Sequence, residues 1–124
     1  VEFSIESDVQ DVLLTGNRKA LVGALTNLIE NAVQAVDAGG RVVLASQCSG
    51  ELLLLTVRDN GRGMPAAVVE RLFEPFFTTR SDGTGLGLAI ARGVARAHGG
   101  SIDVRSEPGA GTEFVISLPL VEPT

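Results

Sequence analysis

The sequence predicts an α+β domain, with a mixed or antiparallel sheet packed against helices on one face. Three observations predict it. Strand-like segments come in adjacent pairs, separated by only two long stretches of helical period, in the order β β α β β, irregular stretch, α β β. The repeated βαβ alternation of a doubly wound sheet does not occur. Finally, 124 residues that are 44% hydrophobic and 20% charged make one domain with a small core. The apolar run Leu52 to Leu55 is far too short to cross a bilayer.

Each element has a local cause. Val1 to Ser7 alternates Val1, Phe3 and Ile5 with Glu2, Ser4 and Glu6, the period of a half-buried strand. A short strand is predicted at Val12 to Thr15, after which Gly16-Asn17 breaks the pattern and Asn17 can cap a helix. Arg18 to Val36 is the clearest helix, with Leu21, Leu25, Leu28, Ala32 and Ala35 in one stripe, and Asp37-Ala38-Gly39-Gly40 stops it. Arg41 to Gln47 and Glu51 to Arg58 form a hairpin around Ser49-Gly50. Asn60 to Gly83 holds no long periodic element, only a short helix opened by Pro65 and running to Leu72. Thr84 to His98 is a second helix, with Leu86, Ala89, Ile90, Gly93, Val94 and Ala97 on its apolar face and Gly99-Gly100 at its end. Ser101 to Ser106 and Thr112 to Leu118 are strands joined by Glu107-Pro108-Gly109-Ala110-Gly111. With no repeat and no linker, residues 1–124 read as one domain, and a start at Val1 without a leader reads as a piece of a longer protein.

Composition removes several classes of function. The single cysteine, Cys48, excludes an internal disulfide and a cysteine-based zinc site. A net charge of −5 argues against nucleic-acid binding. Ten of the 15 glycines lie between Gly61 and Gly111, and three of the five phenylalanines are Phe73, Phe76 and Phe77. Backbone-exposing glycine and clustered phenylalanine in one half indicate a specialised loop system on an ordinary scaffold.

Four constellations carry chemistry. Asn27, Asn31 and Gln34 form a polar line at the border of the helix's apolar stripe. An amide oxygen is a hard neutral ligand that suits magnesium, although such a line also fits a solvated helix face. Asp59-Asn60-Gly61-Arg62-Gly63 places a carboxylate at a strand exit, before glycines that let a ligand approach the backbone. The same residues fit an ordinary turn, and Gly61-x-Gly63-x-x-Ala66 also fits a dinucleotide-binding turn, but no repeated βαβ pattern supports the latter. Gly83-Thr84-Gly85-Leu86-Gly87-Leu88 opens a helix, whose free N–H groups suit a phosphate; the Gly-Lys-Ser/Thr ending of a P-loop is absent. Phe73 to Phe77 can pin a loop or act as a latch, and Arg80 can reach a terminal phosphate.

Together these motifs resemble the catalytic and ATP-binding domain of sensor histidine kinases, within the gyrase, Hsp90, histidine kinase and MutL superfamily. Asn27-x-x-x-Asn31 looks like the family's N box, Asp59-x-Gly61-x-Gly63 its G1 box, Phe73 to Phe77 its F box, Gly83 to Leu88 its G2 box and Gly109-x-Gly111-Thr112 its last glycine box. The likeness covers nearly the whole chain in order. Glu74-Pro75-Phe76-Phe77-Thr78-Thr79-Arg80 is most similar to kinases of the nitrogen-regulation type, while clamp-type ATPases lack the F box. One departure is Gln34-Ala35, where many relatives have a Lys/Tyr pair.

The resemblance implies a two-layer α/β sandwich of Bergerat type with a long ATP lid over about residues 60–84. It implies ATP and Mg²⁺ as cofactors, with Asn31 on the metal and Asn27 beside it. Asp59 would accept from the adenine amino group, and Thr112 would support the adenine end. Gln34, Ala35, Gly61, Gly63 and Met64 would complete the nucleotide pocket. Thr84, Gly85, Leu86, Gly87 and Leu88 would cradle the phosphates. Asn31, Arg80 and Glu30 would form the catalytic set, with Glu30 assisting proton removal from the incoming histidine. The lone His98 sits at a helix C-terminus, where it complements the dipole; the family's acceptor histidine lies on another domain. The implied partners are that dimerisation and phosphoacceptor domain and a response regulator, not nucleic acid, and the domain by itself reads as a cytoplasmic monomer. On the same fold, an ATPase clamp, an anti-sigma-type serine kinase or a non-catalytic nucleotide sensor are the alternatives.

Overall fold

The computed structural model describes residues 2–7, 18–36, 39–75, 77 and 87–119. Five strands form one mixed sheet in the order β1-β2-β3-β5-β4: β1 (Glu2–Ser7), β2 (Arg41–Ser49), β3 (Leu52–Asp59), β4 (Ser101–Glu107) and β5 (Gly111–Pro119). Edge strand β1 runs parallel to β2, and every other pairing is antiparallel. The helices are α1 (Arg18–Ala35), the short α2 (Ala66–Val69) and α3 (Gly87–Ala97). Among the described residues, no helix is long and apolar enough to cross a membrane.

Alternation along the strands builds the core. Register sets Val57 beside Phe114, Leu55 beside Ile116 and Leu53 beside Leu118, while Val104 and Ile102 flank Phe114 and Ile116 from β4. That face packs with Ala24, Leu28 and Ala32 of α1 and Ala91 and Ala95 of α3. Small alanines at one-turn spacing let the two helices sit close to each other and to the sheet. The helices therefore lie on one face, as the sequence predicts. The apolar face of α3 is turned from the predicted one: Val94 packs against the core as expected, but Ile90 is 54% exposed and Gly93 and Ala97 are exposed, while Ala91 and Ala95 are buried. The bulkier side chains suggested one face, but close approach to α1 selects the alanines.

Other predicted elements hold with small shifts. The hairpin turns at Gly50-Glu51, and Pro65 opens a helix that ends at Val69, short of Leu72, and passes into turns as far as Pro75. The predicted strand Val12 to Thr15 and the Asn17 cap lie outside the described residues.

Candidate nucleotide site

The site is built where β3 ends and β5 begins. Register opposes Asp59 to Thr112, both on the helix side of the sheet. They are the buried polar residues among those described, 6% and 4% exposed. A carboxylate buried in an apolar interior is costly unless hydrogen-bonded. Here Asp59 Oδ1 accepts from the Gly61 amide at 2.8 Å. Burial nevertheless pushes the Asp59 carboxyl above its ordinary range, outweighing the Gly61 and Thr112 amides and the nearby Arg62 guanidinium, which pull it down.

The turn after Asp59 is wedged from two sides. The Arg62 amide donates to the Ala35 carbonyl at 3.1 Å, and its guanidinium to the Gln34 carbonyl at 3.3 Å, so the loop closes the open C-terminus of α1. From the other side, the Gly109 amide donates to the Arg62 carbonyl at 2.7 Å. Gly63 has φ +67°, and a β-carbon there would lie 1.9 Å from the Glu107 carbonyl oxygen. Gly111 has φ +85°, and its β-carbon would lie 2.1 Å from the Asp59 carbonyl oxygen. Only glycine fits either position, so the glycine boxes are required by backbone-to-backbone approach. Gln34 and Ala35 meet this turn through their carbonyls, and the Gln34 residue itself is exposed.

Ser106 links the turn to Thr112. Its hydroxyl accepts from the Met64 amide at 2.8 Å, donates to the Gly111 carbonyl at 3.0 Å and meets the Thr112 hydroxyl at 2.9 Å. Sequence reasoning missed Ser106 and Arg62. A signal for Ser106 existed: it follows Ile102 and Val104 at the inward phase of β4, where a polar residue is out of place.

The amide line lies on α1. Asn27 donates from Nδ2 to the Gly87 carbonyl at 3.1 Å, tying α1 to the first residue of α3. Among the described residues, the Asn27 side-chain carbonyl oxygen accepts no hydrogen bond, and it is a hard ligand. Asn31, one turn on, is half-buried and its side chain has no hydrogen bond among the described residues, and Glu30 is exposed. No group of three acidic, histidine or cysteine side chains that could hold a metal occurs among the described residues. Two neutral amides fit Mg²⁺, which takes few protein ligands and completes its shell with water and phosphate. Leu88 packs against the core, while Arg80, Thr84, Gly85 and Leu86 lie outside the described residues.

Phe73 pins the segment after α2. Its ring meets Phe114 edge-on at 6.3 Å, and the Arg92 guanidinium of α3 lies 5.5 Å from its centroid. Phe77 lies 4.5 Å from the Arg71 guanidinium, which also pairs with Glu74 at 2.6 Å; Phe76 lies outside the described residues. His98 is remote from Gly87, at the far end of α3, with Nδ1 2.7 Å from the Val94 carbonyl.

A cavity of about 580 Å³ opens at the same end of the sheet and is lined by Asp59, Ser106 and Thr112 together with Arg41, Arg58, Arg105 and Glu113. The last four alternate along their strands with Val42, Asp59, Ser106 and Thr112, so their side chains face away from the helices. The cavity reaches from the Asp59 corner onto the open face of the sheet.

Comparison with known proteins places this geometry among relatives. The family described as histidine kinase-, DNA gyrase B-, and HSP90-like ATPase matches residues 16–122. The signal transduction histidine-protein kinase AtoS of Escherichia coli (strain K12) is 38% identical over 121 residues, covering 97% of this chain and 20% of AtoS. The sensor histidine kinase RcsC of Salmonella typhimurium is 43% identical over 122 residues, 94% of this chain and 13% of RcsC. The chain thus spans about a fifth or less of the length of these relatives. Among solved structures, the nucleotide-free catalytic domain of histidine kinase ThkA superposes with a TM-score of 0.85 at 32% identity, over 95% of this chain and 78% of that one. Full-length ShkA in complex with AMPPNP gives a TM-score of 0.86 at 30% identity, over 99% of this chain and 26% of that one.

Proposed function

Since the chain belongs to the histidine kinase-, DNA gyrase B-, and HSP90-like ATPase family, with its ATP-binding domain, we propose that it binds Mg-ATP and donates the γ-phosphate to a histidine on a separate dimerisation domain of a sensor kinase. The observation that carries this reading is the buried Asp59 carboxylate, held by backbone amides in a corner that only glycine can shape. Adenine presents an amino donor to such a carboxylate, and guanine presents a carbonyl oxygen that it repels.

The remaining roles follow the chain. Asn31 would hold Mg²⁺ through its amide oxygen, with Asn27 beside it, and a metal bound there would supply charge neutralisation to the phosphates. The amides at the N-terminus of α3, from Gly87 and Leu88, would serve the phosphates together with Thr84, Gly85 and Leu86, and Arg80 would serve the terminal one. Glu30, exposed beside Asn31, takes the proton of the incoming imidazole. Residues 60–84 close over the nucleotide, with Phe73 as the anchor. His98 is not the acceptor: eleven steps of about 1.5 Å separate it from Gly87, roughly 16 Å along the helix. The partners are the acceptor domain and a response regulator, and this domain alone is a monomer.

Displacement of a fluorescent ATP analogue tests the reading. ATP and ADP displace it and GTP does not. Asp59→Ala abolishes binding while circular dichroism stays native. With radiolabelled Mg-ATP, acid-labile phosphate appears on an added acceptor domain and not on this chain, and His98→Gln leaves that transfer intact. Equal displacement by GTP overturns the reading.

A further inference from the structure

The corner beside Asp59 contains a hydroxyl pair whose proton direction can be counted. A serine hydroxyl has one proton and two lone pairs. Ser106 Oγ has three partners: the Met64 amide at 2.8 Å, the Gly111 carbonyl at 3.0 Å and the Thr112 hydroxyl at 2.9 Å. The Met64 amide can only donate, so it uses one lone pair. The Gly111 carbonyl can only accept, so it takes the Ser106 proton. The contact with Thr112 is then a hydrogen bond only if Thr112 donates. Its proton is spent on Ser106, and Thr112 Oγ1 has only lone pairs left.

Thr112 stands directly opposite Asp59 in the ladder, on the same face of the sheet. An ionised carboxylate also has only lone pairs. We propose that Ser106 is a positioning residue for base selection: by taking the Thr112 proton it makes the wall formed by Asp59 and Thr112 a pure hydrogen-bond acceptor, which selects a ligand edge that donates. This rests on the ATP-binding reading above and deepens it. An amino-substituted purine such as adenine supplies the donor, and a 6-oxo purine meets lone pair with lone pair. Water does not reverse the polarity. A molecule bridging both groups spends its two protons on them and presents an acceptor in turn.

Ser106 never touches the base, so its removal has a signature that loss of packing lacks. Without the Ser106 hydroxyl, the Thr112 proton is released and can turn toward the ligand. A 6-oxo purine then gains a partner that the parent protein denies it. Hypoxanthine, in ITP, is the suitable probe: it replaces the 6-amino group of adenine by a carbonyl without adding guanine's 2-amino group, and the N1 proton it gains is the same against the parent and the variants.

The experiment measures displacement of a fluorescent ATP analogue from this chain by ATP and by ITP. In Ser106→Ala, the affinity for ITP rises and the ATP-to-ITP preference falls by about tenfold, the scale of one hydrogen bond. Ser106→Thr, which keeps the hydroxyl, restores the preference. Thr112→Val weakens ATP without strengthening ITP, and the double variant Ser106→Ala/Thr112→Val also shows no gain for ITP. Ser106→Cys, which fills the space with a poor hydrogen-bonding group, repeats the Ser106→Ala result if the alanine variant folds badly. A parallel loss of ATP and ITP affinity in both Ser106 variants would overturn the proposal and leave Ser106 as structural support. Failure of the parent chain to bind ATP would instead overturn the ATP-binding reading itself.

Discussion

The Asp59 corner and the amide line on α1 are both polar intrusions into an apolar interior, but they are held in opposite ways. In the corner, Asp59, Thr112 and Ser106 each have a hydrogen-bond partner, and the chain passes so close to itself that Gly63 and Gly111 admit no side chain. On α1, the Asn27 side chain makes one bond to Gly87, and that of Asn31 makes none among the described residues. On the proposed reading, the base-reading end is complete before any ligand arrives, and the phosphate end would gain its partners with the ligand. Preorganisation of this kind favours affinity and selectivity at the first end, while the second is left for the metal and phosphates to order.

Substitutions can break that contrast. The largest effect belongs to Gly63→Ala: left-handed backbone and a 1.9 Å approach to the Glu107 oxygen leave a side chain no room, so urea unfolding should show a loss of at least ~3 kcal/mol. Next comes Asn31→Ala, which should lower Mg-ATP affinity by about tenfold, yet leave EDTA-treated nucleotide binding and stability near the parent's. Equal losses with and without metal would make the Asn31 amide a scaffold group.

A pH series sharpens the comparison further. Burial raises Asp59 above its ordinary 3.8. As pH climbs through the interval from 3.8 toward that raised value, the unfolded chain releases its proton first, so the ligand-free protein loses stability and remains penalised above the interval. Asp59→Asn should remove this slope, and at neutral pH should leave a ligand-free domain that is more stable than its parent and unable to bind ATP. Denaturation midpoints at pH 4 and pH 7 measure it. ATP affinity of the parent should fall as acid protonates the carboxylate. The smallest effect is a control: Gly93 lies exposed within α3 with nothing within 4 Å of a built β-carbon, so Gly93→Ala should stabilise by about 0.5–1 kcal/mol.

Local pattern made most of the scaffold legible. Apolar runs bounded by turn residues mark β3 and β5 closely, and the two-residue period of a strand brings Asp59 and Thr112 to one face once the strands pair. What stayed hidden depends on partners distant in sequence. Glycine at position 63 is visible, but its reason, the Glu107 carbonyl, lies forty-four residues on. Arg62 looks like a loop cation and is in fact the closure of α1. The face of α3 was misjudged because hydrophobic size does not reveal that α1 demands small residues at Ala91 and Ala95. Phe73 could be seen as an anchor without its seat, which Phe114 and Arg92 supply from two other elements.

The two hairpin turns of the sheet differ in how strictly their length is counted. The turn between β4 and β5 is bonded into the corner, Gly109 to Arg62 and Glu107 against Gly63, so one added residue there would move Thr112 away from Asp59 or turn it to the other face. The turn at Gly50-Glu51 is exposed, and Gly50 has nothing within 4 Å of a built β-carbon. It stands at the opposite end of β3, about 23 Å from Asp59 at ~3.3 Å per residue. The same sheet therefore offers a place where length is free and a place where it is fixed. A peptide handle or a fluorophore grafted at the exposed Glu51, leaving Gly50 with its φ of +61°, would ride on the domain far from the Asp59 corner.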